Sequence, residues 1–176
     1  MGNRSTPSPL IAFYRGEGRD HRGRLLADIQ DFDFHELEFN HDYIQWLFPL
    51  PEPSGANPSA PLLSKEDIAA FGDESLQRAM LHSFELMLQF YGLDLADREG
   101  RVEVVRGGSF DERSGLWLTR GNHNFLRISR MLRSLEVLGS HRYAVAFLEC
   151  LEGIYAEQPD AVGSTTLGYW RRAAIR

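Results

Sequence analysis

Cysteine is almost missing from this chain. Cys150 is the only one in 176 residues, so no internal disulfide can form. A reducing compartment fits that usage, and a cytoplasmic location is the expectation. Long apolar runs are missing too. None approaches the ~18 residues that a membrane helix needs, so no membrane span is expected. An excess of positive charge is also lacking. Nineteen Lys and Arg stand against 25 Asp and Glu, a formal net charge of −6. That balance opposes nucleic acid or an anionic membrane as a general partner, although it leaves room for a local basic patch. There is no Walker loop, no nucleophile elbow and no dinucleotide fingerprint. One cysteine and scattered histidines make no tetrahedral ligand set, so neither a metal nor any other cofactor is expected. The first residues, Met1 to Pro9, have no apolar core and do not read as a signal peptide.

What is present is an ordinary globular composition, 43% hydrophobic and 25% charged, enough for a real core. Residues 1–10 are assigned to a disordered lead-in and 11–176 to a single helical domain. Helical spacing dominates the latter. Leu25, Leu26 and Ile29 suggest a short helix. Asp33 is a candidate cap for a helix over 34–48, ended by Pro49. Residues 49–63 hold five prolines and read as an extended loop pinned by Leu50, Leu62 and Leu63. Ser64 and Asp67 form a capping box for a helix reaching Phe71. Asp73 caps a long helix from Glu74 to Tyr91, with Gly92 as its left-handed stop. Arg101 to Val105 alternates briefly and suits a short strand or hairpin. Ser109 is read as the cap of a helix containing Leu116 and Trp117, and Asn122 as the cap of one ending near Leu138 at Gly139. Further helices are expected over 142–157 and from Ser164 or Thr165 to Ala173. The fold class is all-α, a bundle of six to eight helices with one possible β-hairpin near 101–105. Cys150, inside the apolar stretch Tyr143 to Leu151, reads as a buried structural thiol.

Two polar stripes stand out from plain surface. On a continuous helix over 34–48, Glu38, His41 and Gln45 fall together at i, i+3 and i+7, between two apolar faces, one of them bearing Tyr43 and Trp46. Polar groups beside a core must find partners, since an unsatisfied one costs ~1–3 kcal/mol. They are either a network that fixes packing or a stripe that faces a ligand. On the later helix His123, Arg127 and Arg130 share a lateral stripe, with Arg133 beside it. Guanidinium groups accept carboxylate or phosphate in bidentate fashion, and a helix N-terminus near Asn122 favours anions. Pairing with the protein's own acids, Glu85 or Glu38, is the competing reading. Asn124 lies toward the inner face and is expected to bond backbone.

Other patterns are weak. His35-Glu36 and His41 do not form His-Glu-x-x-His, because six residues separate the imidazoles and turn them about 120° apart. His41-Asp42 matches the dyad of HD-type metal phosphohydrolases. That family also needs an upstream His and a downstream Asp, for which His21 and Asp73 or Asp94 are no better than chance offers.

The run His41-Asp42-Tyr43-Ile44-Gln45-Trp46-Leu47-Phe48-Pro49-Leu50-Pro51-Glu52-Pro53 resembles a signature of the opioid growth factor receptor family. So do Gly121-Asn122-His123-Asn124-Phe125-Leu126-Arg127-Ile128-Ser129-Arg130-Met131-Leu132-Arg133-Ser134-Leu135 and Glu85-Leu86-Met87-Leu88-Gln89-Phe90-Tyr91-Gly92. The likeness runs from Phe13-Tyr14-Arg15 to about Gly139. It implies an α-helical domain and, in animals, a receptor for an endogenous opioid pentapeptide linked to the nucleus and to growth inhibition. It implies no catalytic residues. The animal proteins continue into long polar, basic extensions, so this chain is expected to be the short stand-alone form, without a localisation segment. The leading expectation is a binding module rather than an enzyme. Its ligand would be a short peptide or small anionic molecule, held by Glu38, His41, Gln45, Trp46, His123, Arg127 and Arg130. The alternatives are a small hydrolase using His41 or His123 with Arg127, and a structural or interaction protein without a ligand pocket.

Overall fold

The computed structural model describes residues 6–175. Eleven helices and one antiparallel hairpin occur among them. The mainly α class is as expected, but several helices are single turns that apolar periodicity does not reveal. The chain packs as two compact units, Met1–Leu81 and His82–Arg176. The division falls within the helix Glu74–Phe90, one of two helices of 17 residues.

The first unit contains α1 (Pro9–Tyr14), α2 (Leu26–Gln30), α3 (Phe34–Phe39), α4 (Ile44–Leu47), α5 (Lys65–Ala70) and the start of α6 (Glu74–Phe90). Helix α1 begins inside the segment assigned to the lead-in; residues 1–5 of that segment lie outside the described residues. Ser8 caps it by accepting the Ile11 N–H at 3.2 Å, and Pro9 takes the first turn, where its missing N–H is harmless. The Ser8 hydroxyl also donates to Asp67 at 2.5 Å. Asp67 in turn accepts the Ser64 N–H at 3.0 Å, and Ser64 accepts the Asp67 N–H at 3.0 Å, the capping box that starts α5. One buried carboxylate therefore ties two helix starts together. Phe13, Ile29, Leu37, Leu47, Phe48 and Phe71 lie at 1% exposure or less around this arrangement. The Tyr14 hydroxyl donates to the Leu47 carbonyl, and burial raises the phenol's pKa well above its ordinary value. In the proline-rich loop the Leu63 N–H donates to the Leu50 carbonyl at 3.1 Å. Leu63 is buried as expected, whereas Leu62 is 51% exposed and joins the loop to Leu50 through a backbone bridge rather than through a buried side chain.

The sequence predicts one helix over 34–48; the structure has two, separated by residues 40–43. The reason is hydrogen-bond competition. Asp33 and Glu36 close a capping box at the start of α3. At its end Asn40 takes an extended backbone, φ −85° and ψ 133°, and its side chain donates to the Glu36 carbonyl at 2.9 Å. The Leu37 carbonyl, which would accept the N–H of His41 in a continuing helix, accepts the Tyr43 hydroxyl at 2.7 Å.

The second unit holds the rest of α6, β1 (Leu93–Arg98), β2 (Arg101–Arg106), α7 (Phe110–Trp117), α8 (Asn124–Val137), α9 (His141–Glu157), α10 (Pro159–Val162) and α11 (Ser164–Ala173). Leu93 pairs with Arg106 and Arg98 with Arg101. Glu99 and Gly100 turn the hairpin with φ of 55° and 85°, the left-handed pair that matches strand twist. Ion pairs Arg101–Glu149 and Arg106–Glu157, both 2.9 Å, connect β2 to α9. Gly92 ends α6 at φ 78°, and a Cβ there would stand 2.7 Å from the Phe110 Cα. Gly139 ends α8 at φ 84°. Ser109 precedes α7 without a side-chain cap bond, and α11 starts behind Gly163, also uncapped by Ser164 or Thr165. Phe84, Leu88, Ile128, Leu132 and Trp170 are fully buried. Cys150 is partly buried, and desolvation raises its pKa to about 11, consistent with an inert thiol.

Candidate functional site

The distinctive run of the first unit is built around Asp42. Arg22 donates to it at 2.7 Å and Arg24 at 3.1 Å. Arg24 also donates to the buried Asp20 at 2.7 Å. Partial burial pushes the Asp42 pKa upward, but the hydrogen bonds from Arg22 and Arg24 outweigh it and hold the carboxyl below its ordinary value. The Trp46 indole N–H donates to His21 Nδ1 at 3.0 Å, with the rings stacked at 6.2 Å. An indole N–H can only donate, so Nδ1 carries the lone pair and Nε2 the proton, toward Asp42 at 3.7 Å. Asp42 is thereby an organising anion for Arg22, Arg24 and His21. Among the described residues no group of three His, Cys, Asp or Glu side chains is placed to hold a metal.

The break between α3 and α4 separates the members of the first expected stripe. Glu38 is half-buried on α3 and His41 is exposed in the break. Gln45 and Trp46 are on α4, at 3% and 5% exposure. Gln45 is the exception in this well-bonded segment, because its Oε1 is buried and has no hydrogen-bond partner among the described residues.

The second expected stripe belongs to the second unit. Asn122 acts as the cap of α8, its Oδ1 accepting the Asn124 N–H at 3.0 Å, while its Nδ2 donates to Thr119 Oγ1 at 3.0 Å. Asn124 is fully buried. Its carboxamide oxygen accepts the Tyr91 hydroxyl and Arg127 Nη1, each at 3.3 Å. The Trp117 indole donates to the Tyr91 carbonyl at 3.0 Å. Tyr91, Trp117, Asn124 and Arg127 thus form one buried group at the start of α8. Of the three cationic residues, Arg127 is 5% exposed, Arg130 half-buried and His123 exposed. Periodicity placed them on one stripe; their burial separates them.

Sequence reasoning did not find the partners Arg22 and Arg24, and it named His21 only as a chance companion of His41-Asp42. They sit 18–25 positions from their targets, and no local pattern joins them. It also passed over Glu136 and His141, whose contact crosses the turn between α8 and α9.

The pairing of Asp42 has a testable consequence. A carboxyl whose pKa is depressed in the folded state contributes stability that is present above its unfolded value, about 4, and is lost as pH falls through the folded value. Stability is therefore expected to decline on acidification below about pH 5. Asp42→Asn should flatten that acid limb in melts recorded across pH. An identical acid limb in the variant would show that the arginine pairing contributes nothing.

Residues 16–176 match the opioid growth factor receptor (OGFr) conserved region. The chain is 41% identical over 138 residues to the rat opioid growth factor receptor, covering 76% of this chain and 23% of that protein. It is 40% identical over 141 residues to the human protein of the same name, 77% of this chain and 20% of the relative. It is 43% identical over 109 residues to mouse opioid growth factor receptor-like protein 1, 61% and 22% of the two chains. The matched part is thus less than a quarter of each of these relatives. No solved structure matches.

Proposed function

Because the chain belongs to the opioid growth factor receptor family, we propose that it is a binding module of that kind, taking a short peptide or small anionic molecule. The relatives' names describe receptors for opioid growth factor, and that reading is carried to this chain here as a proposal. The observation that supports it best is Gln45. In a run whose neighbours Asp42, Tyr43 and Trp46 all have partners, the Gln45 carboxamide oxygen is buried and has no partner among the described residues. A peptide N–H is the group that would satisfy it. Glu38, His41 and Trp46 surround it in sequence and are kept as ligand-binding candidates. In the second unit, His123, Arg127 and Arg130 are kept as a separate set of candidates for an anionic molecule, with Arg127 the anchor.

Two variants test this with an opioid pentapeptide bearing a free carboxylate and with its carboxamide. Gln45→Met replaces the orphaned amide by an apolar chain of similar shape. The expected result is an unchanged or higher melting temperature and an affinity for both peptides lower by about tenfold. Arg127→Gln should weaken the free acid by about tenfold and leave the carboxamide unaffected. Loss of stability in both variants with no change in affinity, or no binding of either peptide to the unmodified protein, would sink the proposal.

A further inference from the structure

Strand β2 lies along only part of α9. Arg101, its first residue, pairs with Glu149 at 2.9 Å, and Arg106, its last, pairs with Glu157 at 2.9 Å. The hairpin therefore runs beside the second half of that helix. From His141 to Glu149 is eight residues, about 12 Å of rise. That stretch lies beyond the Arg101 pair, on the side of the hairpin turn. A cleft of about 390 Å³ opens in the step, a size that suits a small ligand. On α9 it is lined by His141, Arg142, Val145, Ala146 and Glu149, which recur at one-turn spacing and so share a face. The hairpin contributes Gly100, Arg101 and Val102. The whole cleft belongs to the second unit.

The lining divides into an apolar floor and a charged rim. Val102 and Val145 are half-buried and Ala146 is buried. Nothing stands within 4 Å of the position a Cβ would take at Gly100, so the hairpin turn leaves the mouth open. The rim is mainly cationic, and it is accessible. Arg101 has a side chain 66% exposed and spends Nη2 on Glu149. Arg142 is exposed and spends Nη2 on the Tyr143 hydroxyl at 3.0 Å. A guanidinium has five N–H groups, so each has others to offer. His141, also exposed, is held by Glu136 through Nδ1 at 2.5 Å, which leaves Nε2. These charges are placed against the usual preference of a helix. The first turn of α9 has no acidic residue and begins His141-Arg142, at the positive end of the dipole of a 17-residue helix. Glu149 is the acid of the lining, and Arg101 already neutralises it.

We propose that this cleft binds a small amphipathic carboxylate, its charged end meeting Arg142 and Arg101 and its apolar stem lying on Val102, Val145 and Ala146. Charge and floor together decide the class. A cation would meet two guanidinium groups and the positive end of α9. A neutral apolar molecule would use the floor and leave the rim uncompensated. An anion supplies the negative charge that the first turn of α9 lacks, and a planar carboxylate matches the guanidinium fork. The stem matters because exposed ion pairs by themselves contribute little. The site is separate from the Arg127 candidates and does not depend on the peptide reading. His141 meets Glu136, which is nine residues along α8 from Arg127, about 13.5 Å of rise.

Titration of the isotope-labelled full chain with hexanoate, read by amide chemical shifts, tests the proposal. Acetate lacks the stem, hexan-1-ol lacks the charge and hexylammonium reverses it. Hexanoate is expected to give saturable shifts centred on Gly100, Val102, Arg142 and Val145. Each of the other three compounds should bind at least about tenfold more weakly. Arg142→Gln should weaken hexanoate by about tenfold. Glu149→Gln releases Arg101 and should tighten hexanoate. Both side chains are exposed, so both variants should keep the parent melting temperature. Arg127→Gln should leave hexanoate binding unchanged, which separates failure here from failure of the peptide reading. If a variant does not fold, the four compounds decide on the unmodified protein. The absence of saturable hexanoate shifts at this cleft would overturn the proposal. So would hexan-1-ol or hexylammonium binding as tightly as hexanoate, or weaker hexanoate binding by Glu149→Gln.

Discussion

Trp46→Ala is expected to destabilise the protein by about 3–5 kcal/mol, the usual cost of deleting a buried indole. Trp46 is 5% exposed, stands 5.0 Å from the Phe13 ring, and spends its N–H on His21 at 3.0 Å. Truncation leaves a cavity and also removes the donor to His21 Nδ1. Against a typical domain stability of 5–15 kcal/mol, that is a large fraction. Trp46→Phe separates the two contributions, because it retains most of the packing and loses only the donor, worth about 1 kcal/mol. Denaturant unfolding followed by circular dichroism measures both. A melting temperature of Trp46→Ala within a degree or two of the parent would mean that the ring is not packed as described, and would leave Trp46 a ligand platform alone.

The matching change in the second unit, Trp117→Ala, should also cost about 3–5 kcal/mol. Trp117 is 1% exposed, meets Tyr91 edge-on at 5.1 Å, and donates to the Tyr91 carbonyl at 3.0 Å. Tyr91 in turn holds Asn124, which holds Arg127. Loss of the indole therefore has a second expected effect, loosening of the start of α8. Hydrogen exchange should quicken at Asn124 to Ile128 before it does at Leu135 to Val137. Uniform exchange along α8 would mean that the Tyr91–Asn124 link does not transmit the loss. Its burial assigns Trp117 to packing, and an unchanged stability of Trp117→Ala is the result that would overturn that assignment.

Helix starts and stops were legible where the deciding group lies within one turn. Ser64 with Asp67, Asp73 with the Ser75 N–H at 2.7 Å, and the left-handed glycines 92 and 139 are all of this kind. The buried faces of α6 and α8 were legible because one side of a long helix repeats. The missed elements were those that repeat too little. Helix α1 and helix α10 have six and four residues, and β1 reads Leu-Asp-Leu-Ala-Asp-Arg, poor in strand-forming residues. The candidate site was legible only as a set of names. Gln45 was singled out for lying between apolar faces and Arg127 for its place on a cationic stripe, but nothing within a few positions of Glu136 indicated a buried, half-paired carboxylate.

The amino-acid sequence by itself determined the mainly helical class, the principal caps and stops, the core residues of the long helices and the family. Each of these depends on local spacing or on runs of identity. The tertiary structure decided which polar groups are spent and which are left over. Asp42 draws Arg22 and Arg24 from 20 and 18 positions away, Tyr43 takes the carbonyl that would have continued α3, and Gln45 and Glu136 each keep one buried oxygen without a partner among the described residues. Hydrogen-bonding groups are allotted by whatever chain returns to meet them, and periodicity carries no record of that return.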